Sequence, residues 1–203
     1  HLGGAETRYT INGVVDTGAR KSEVITNMLT TMMGDLIRTN GKWYINAGEH
    51  RAASITLDEN DCRGAIEVLT KTSRRDRFNS VRGTFLAPNN NYKLSDYPEV
   101  TSSAYVTEDG ETISTQLDLP FTSKASEAQR LAKIHLLASR QEIVVRYPAK
   151  LTAFRLQAGD TVAITDDDFG WSGKLFRVQS WTIVYDNSGG GSLNIAKSTE
   201  PPE

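Results

Sequence analysis

The chain has 203 residues, of which 38% are hydrophobic and 24% are charged, and its formal net charge is −2. This is the composition of an ordinary globular protein, and the small net charge provides no overall attraction to nucleic acid or to anionic membranes. No apolar run approaches the roughly 20 residues of a membrane span, and a single cysteine excludes an intramolecular disulfide framework.

The N-terminal part, residues 1–48, is predicted to be a small β-α-β-β module. Residues 8–15 have the pattern of a short strand, and Ser22 is a candidate N-cap for a helix whose apolar residues recur at helical spacing. Residues 35–45 are predicted to form a β-hairpin, because Asn40 and Gly41 suit the two central positions of a type I′ turn. Since the chain begins at His1 without an initiator methionine, we expect it to be a fragment of a longer polypeptide.

Residues 49–198 are predicted to form a second, strand-rich domain with one long helix, and residues 199–203 a tail or the start of a linker. The predicted strands are residues 54–57, 66–70, 79–86, 111–119 and 143–147. A single helical turn is predicted at residues 58–61, a long loop at 88–98 and the helix at 126–139. The fold class is therefore α+β.

The last quarter of the chain shows the clearest strand pattern. Residues 151–164 are predicted to be two short strands around a turn at Gly159, and residues 175–185 one long strand. Strict alternation along this long strand places Phe176 and Trp181 on opposite faces. A strand of this length crosses a small barrel or sandwich from rim to rim, so we expect a barrel-like domain.

Motifs for catalysis and for metal binding do not occur in the sequence. The spacing of the three histidines, His1, His50 and His135, is not that of a zinc site. Cys62 has no histidine nearby in sequence to activate it as a nucleophile. Neither a nucleophile elbow nor a phosphate-binding glycine loop is present. We therefore expect no catalytic residue, no metal and no cofactor.

Two acidic clusters and one aromatic cluster leave alternatives open. Residues 166–168 are three consecutive aspartates, which suit either a divalent cation or, as we favour, a solvated turn. Glu108, Asp109 and Glu111 suit either the acid and base of a glycosidase or a turn around Gly110. A sugar-stacking platform is a further possibility for three aromatic residues: Trp171, Phe176 and Trp181.

A basic run is the best candidate for contacts with phosphate or with another subunit. It consists of Lys71, Arg74, Arg75 and Arg77. Phe78 lies close enough in sequence to stack on a nucleic-acid base, but the negative charge of Asp76 reduces the net positive charge of the run. A solvated turn or an inter-subunit patch of salt bridges is the interpretation that we favour over phosphate contact.

Four stretches occur in the same order in one known family, which the chain resembles over residues 8–197. They are RYTINGVVDTGARKSEVITNML, SRRDRFNSVRGTFLAP, DLPFTSKASEAQRLAKIHL, and the pair GDTVAIT with FGWSGKLFRVQSW. The family is the tail tip attachment protein J, or host specificity protein, of lambda-like siphophages and related prophages. Each stretch alone is only turn and strand chemistry, so the order of all four carries the resemblance.

The resemblance implies a piece of the central tail hub, similar to the baseplate hub of contractile-tailed phages. Family members form a homotrimer at the distal end of the tail tube, close the channel before infection and let DNA pass when they open. Their hubs combine small α/β modules with tube-like barrels. Implied partners are the distal tail ring and the tape measure protein, with DNA only in transit. The implied location is the virion tail, after synthesis in the cytoplasm of the host bacterium.

The same resemblance assigns receptor binding to more C-terminal segments that this chain lacks. Two rival functions remain open. A carbohydrate-binding or glycan-degrading tail domain would present an aromatic cleft with two facing carboxylates. A nucleic-acid-binding module would use the basic run and would bind duplex DNA in a salt-dependent way.

Overall fold

The chain packs as two compact units, each assembled from two stretches of sequence. The computed structural model describes residues 7–39, 41–48, 50–70, 77–141 and 143–183, together with the backbone of residues 192–196. Unit 1 consists of His1–Leu36 and Arg77–Ser139, and unit 2 of Ile37–Asp76 and Arg140–Glu203. This grouping divides the chain differently from the predicted boundary at residue 48, because it depends on long-range packing that local patterns do not report.

The described residues contain three α-helices. They are α1 (Lys21–Thr30), α2 (Ser103–Asp109) and α3 (Ala125–Ser139). The prediction of a long helix at 126–139 is confirmed, and its apolar face is buried at Ala128, Leu131, Ala132 and Leu136. The prediction of Ser22 as N-cap is wrong, since the N-cap of α1 is Arg20, whose backbone is extended, and the helix begins at Lys21. No helix within the described ranges is long and apolar enough to cross a membrane.

The strands are short, with one exception near the C-terminus. In chain order, the strands of the described residues are β1 (Asp35–Thr39), β2 (Lys42–Asn46), β3 (Ile55–Leu57), β4 (Glu67–Leu69), β5 (Ser80–Arg82), β6 (Thr84–Ala87), β7 (Lys93–Asp96), β8 (Val100–Thr101), β9 (Ser114–Gln116), β10 (Val144–Tyr147), β11 (Thr161–Asp166), β12 (Trp171–Thr182) and β13 (Ser192–Ala196). A 3-10 turn at Glu59–Asp61, with Asp58 and Asp61 forming a capping box, confirms the predicted helical turn.

Unit 2 is built around one mixed sheet. Among the described residues its strand order is β3-β11-β12-β13-β10-β4, with β3 and β11 parallel and β11 and β12 antiparallel. The sheet ends at β3 and at β4, so the expected closed barrel is wrong for this part of the chain. The core of the unit is formed by Leu57, Val145, Tyr147, Ala149, Ala153, Leu156, Val162, Ile164, Phe176 and Val178.

Unit 1 packs α3 against a small three-stranded sheet and a hairpin. The sheet has the order β8-β5-β9, and β6 pairs with β7. Its core is formed by Val81, Tyr97, Leu119, Ala128, Leu131, Ala132 and Leu136. The loop predicted at residues 88–98 is wrong, because β7 lies within it and pairs in register with β6.

The strand predicted across residues 79–86 is interrupted at Gly83. A Cβ atom at this position would lie 2.0 Å from the carbonyl oxygen of Leu117. The close approach lets Leu117 N donate to Arg82 O at 2.8 Å, while Leu119 N donates to Thr84 O at 2.8 Å. Because only glycine permits this contact, β5 and β6 separate here and join different sheets.

Three further strand predictions need correction. Residues 8–15 form no strand. Leu151–Arg155 is a 3-10 helix, in which Ala153 is buried and Leu156 follows at the three-residue spacing of that helix. The register of β12 slips between Val178 and Ser180, so that Phe176 and Trp181 both pack on the unit 2 core. Their predicted placement on opposite faces is wrong, because the extra residue of a bulge inverts the alternation.

Candidate interaction surface

The hairpin β1–β2 exposes three consecutive large apolar residues, which we call the hairpin surface: Trp43, Tyr44 and Ile45. Their side chains are 63%, 41% and 60% exposed, respectively. Because successive residues of a strand point to opposite faces, both faces of the hairpin present apolar groups to solvent. Contiguous exposed apolar residues of this kind mark sites of protein–protein contact.

The end of β2 at Asn46 is buried and hydrogen-bonded, although the rest of that strand is exposed. Asn46 is buried and its Oδ1 accepts a 2.8 Å hydrogen bond from Nη1 of Arg51. Gly159 has a φ of +91°, and a Cβ atom there would lie 2.2 Å from Nδ2 of Asn46 and 2.6 Å from Cδ1 of Ile37. The turn at Gly159 therefore supports the hairpin through a contact that a larger residue would prevent.

The hairpin itself confirms the prediction for residues 35–45. Asn40 lies outside the described residues, while Gly41 has the positive φ of 75° that a type I′ turn requires. On the strands, the Arg38 guanidinium lies 5.6 Å from the centroid of the Trp43 ring. The sequence signal for the exposed surface was the lack of alternation in β2, where apolar residues occupy successive positions instead of every second one.

The basic run is described only in part. Lys71, Arg74 and Arg75 lie outside the described residues, and Arg77 is half-buried at the start of the second stretch of unit 1. A role of these residues in a subunit interface or in phosphate contact therefore stays a prediction.

The acidic residues around Gly110 lie in a turn at the end of α2, where Asp109 is hydrogen-bonded within the fold. Asp109 is buried at the end of α2, and its Oδ2 accepts a 2.8 Å hydrogen bond from Nδ2 of Asn79. The same Asn79 Nδ2 donates to the carbonyl oxygen of Glu111, also at 2.8 Å. Gly110 is the C-cap of α2, as the interpretation of these residues as a turn requires.

The aspartates at 166–168 end β11 and begin a turn. Asp166 is buried and its Oδ1 accepts a 3.2 Å hydrogen bond from the backbone N–H of Phe169, while Asp167 and Asp168 are exposed. Backbone N of Asp167 donates to Oε1 of Glu59 at 3.3 Å. Among the residues that the structure describes, no group of three or more His, Cys, Asp or Glu residues is placed to hold a metal ion.

A buried tyrosine lies close to these acidic turns. The hydroxyl of Tyr147 donates a 2.5 Å hydrogen bond to the carbonyl oxygen of Asp58. Burial raises the pKa of Tyr147, and the nearby carboxylates of Asp61, Asp58 and Asp166 raise it further. This hydroxyl therefore stays protonated and serves to join β10 to the turn after β3.

The three aromatic residues proposed as a sugar platform do not form one. Phe176 is fully buried, and Trp171 and Trp181 pack against the same core of unit 2. The rings of Trp171 and Phe176 lie 5.2 Å apart between centroids, and Trp181 meets Phe154 edge to face at 5.6 Å. Their contacts are those of a core and its rim.

His135 and Cys62 also serve packing. His135, on α3, stacks on Phe78 with 5.0 Å between ring centroids, and burial lowers the pKa of its imidazole. The half-buried Cys62 donates from Sγ to the carbonyl oxygen of Gly64 at 3.0 Å. Cys62 lies in unit 2 and His135 in unit 1, and each has contacts within its own unit.

Comparison with known proteins points to one biological setting. A family model described as putative phage tail protein matches residues 20–181. Baseplate hub protein pb3 of Escherichia phage T5 is 20% identical over 185 residues, which are 91% of this chain and 19% of that protein. The chain therefore spans about a fifth of the length of this curated relative.

Two solved structures share the fold of this chain. A chain in the virion of a native gene transfer agent particle matches with a TM-score of 0.64 and 13% identity, over 86% of this chain and 38% of that one. The tail protein from Neisseria meningitidis MC58 matches with a TM-score of 0.63 and 14% identity, over 92% of this chain and 57% of that one. Similarity at this level of identity shows a shared fold.

Proposed function

This chain belongs to the putative phage tail protein family, and on that premise we propose that it forms part of the central hub at the distal end of a phage or prophage tail. The observation that carries the proposal is the similarity to a baseplate hub protein over 91% of the chain. In this role the protein is a structural component of the virion tail, made in the cytoplasm of the host. We include in this proposal the more specific assignment to the host specificity proteins of lambda-like phages.

The hub works as a ring of three copies. In such a ring each copy contacts its neighbour through two different patches, so that rotation closes the assembly. The hairpin surface is the patch that we assign to one side of this contact, since a neighbour would remove Trp43, Tyr44 and Ile45 from water. At about 25 cal/mol per Å² of apolar surface, such burial is a substantial driving force for association.

The closed ring seals the tail tube before infection and conducts DNA when it opens. DNA moves fastest through a channel that does not hold its phosphates, and the net charge of −2 suits a wall of this kind. The basic run at Lys71, Arg74, Arg75 and Arg77 then faces a neighbouring subunit or the outside. The distal tail ring and the tape measure protein are the other partners, and receptor binding belongs to segments outside this chain.

Two measurements test this function against its rivals. Size-exclusion chromatography with light scattering is expected to give a mass of three chains at high protein concentration. A mass of one chain across the whole concentration range would count against a ring held together by residues 1–203. Binding to duplex DNA is expected to be weak at low salt, whereas tight, salt-dependent binding would favour the nucleic-acid module.

The carbohydrate rival makes a separate prediction. A glycan-binding or glycan-degrading domain would retain cell-surface polysaccharide or shorten it, whereas a structural hub would do neither. We propose a structural role and not an enzymatic one, since the relatives are tail and hub proteins. Release of oligosaccharides from host envelope glycan by the purified protein would overturn this.

A further inference from the structure

The N-terminal arm, residues 7–15, packs against the rest of unit 1 without joining a sheet. Its central contact is with Glu127 of α3, whose carboxylate is 0% exposed. Thr10 donates to this carboxylate twice, from its backbone N at 2.6 Å and from Oγ1 at 2.5 Å. A buried carboxylate requires hydrogen-bond donors, and the arm supplies them.

Contacts on both sides of Thr10 recur at every second residue. Nη2 of Arg130 donates to the carbonyl oxygen of Arg8 at 2.5 Å. Asn12 donates from its backbone N to Phe121 O at 2.8 Å and from Nδ2 to Ser123 Oγ at 3.0 Å. The residues that make these contacts with the arm are called the arm groove: Phe121, Ser123, Glu127 and Arg130.

Gly13 completes the fit between arm and groove. A Cβ atom at this position would lie 2.3 Å from Cδ1 of Phe121. One edge of the Phe121 ring therefore lies close to the backbone of Gly13, and a side chain at this position would push the arm and the ring apart.

The connection between the arm and α1 is solvated. Every residue of this connection, 16–20, is exposed, and at the adjoining end of the arm Val14 and Val15 are 93% and 42% exposed, respectively. The turn there is local, with Ala19 N donating to Asp16 O and Gly18 N to Asp16 Oδ1. The connection can therefore change direction without loss of buried contacts, while the arm keeps every contact that it makes in the groove.

We propose that, in the assembled hub, the arm of one copy occupies the arm groove of a second copy. Exchange of an identical segment preserves the same hydrogen bonds, so only the solvated connection has to change. Ile11, Val14 and Val15, which are exposed in a single chain, then lie where two copies meet. The inference rests on the proposed assembly of copies and adds the segment that passes between them.

Cysteine pairs test the exchange directly. In a Cys62→Ala background, Asn12→Cys is introduced into one preparation and Ser123→Cys into another, because the native side chains are 3.0 Å apart. After mixing and mild oxidation, we expect disulfide-linked dimers that contain one chain of each kind. The matched control replaces Ser123→Cys by Ser103→Cys, an exposed serine outside the arm groove, and is expected to give no such dimers above background.

A second variant tests the exchange of arms between copies separately from the formation of the three-chain ring. It carries both Asn12→Cys and Ser123→Cys, and isotope-labelled and unlabelled chains are mixed before oxidation. If light scattering shows three-chain assemblies while all disulfides join residues of one chain, exchange is overturned and the hub stands. If mixed disulfides form in assemblies of two chains, exchange is supported and the threefold ring is contradicted.

Discussion

Nδ2 of Asn79 donates a 2.8 Å hydrogen bond to Oδ2 of Asp109, and both residues are buried although 30 positions separate them. Oδ1 of Asn79 accepts a further 2.8 Å hydrogen bond from the backbone N of Ile113. One amide thereby joins the start of β5 to the end of α2 and to the approach to β9. Asp109, which was a candidate catalytic carboxylate on sequence grounds, therefore stabilises the fold of unit 1.

Asn79→Ala is expected to lower the free energy of unfolding by about 3 kcal/mol, because it leaves the buried Asp109 carboxylate and the Ile113 N–H without this partner. Urea denaturation followed by circular dichroism measures the change. Asn90→Ala is the matched control, since Asn90 makes an exposed hydrogen bond to Ser95 and its loss is expected to change stability by less than about 0.5 kcal/mol. Equal effects of the two substitutions would contradict the structural role of Asn79.

Gly83→Ala is expected to destabilise the protein by about 1 to 3 kcal/mol, since the new Cβ meets the backbone of Leu117 and the strands must move apart. Thermal denaturation of the variant reports the loss. The control is Gly64→Ala, where the nearest atom, Cγ of Pro148, lies 3.9 Å from the added Cβ. A Gly83→Ala protein as stable as the Gly64→Ala protein would show that β5 and β6 do not need the close approach.

Replacing the hairpin surface by Trp43→Ser, Tyr44→Ser and Ile45→Ser together is expected to abolish the three-chain assembly, because the apolar area that drives association is removed. Light scattering measures the mass, and circular dichroism checks that the fold persists. Tyr92→Ser with Leu94→Ser is the control, since these residues of unit 1 are also exposed. Trimers that survive the triple substitution would place the interface elsewhere.

The pH dependence of stability is expected to include a contribution from His135. Burial lowers its pKa below the usual 6.5, so the unfolded chain binds a proton more readily than the folded chain. The free energy of unfolding therefore falls as the pH drops from about 6.5 through the lowered pKa of the folded protein. Urea midpoints across this range should show a flatter profile for His135→Gln than for the wild-type protein, and substitution of the exposed His50 by Gln is the matched control.

Local chemistry was enough to predict several elements. The spacing of Ala128, Leu131 and Ile134 predicted α3, and Asn40 with Gly41 predicted the hairpin. The polar residues 58–61 predicted the single helical turn that the structure contains. In each case the residues that determine the element are neighbours in sequence, so periodicity and turn chemistry suffice.

Long-range packing decided the features that the sequence did not reveal. The bulge in β12 exists because Val178 and Ser180 pair with successive residues of β13, and it reverses the face of Trp181. The break at Gly83 depends on Leu117, which belongs to a different segment of the chain.

The sequence by itself therefore determined the local elements and the likeness to phage tail proteins, because both reside in short patterns. Only the tertiary structure decided which stretches form each unit and which surfaces remain exposed. Glu127 shows the reason, since the donor that its buried carboxylate needs is Thr10, 117 positions away. Burial and hydrogen bonding act between residues that are close in space, and closeness in space is set by the whole fold.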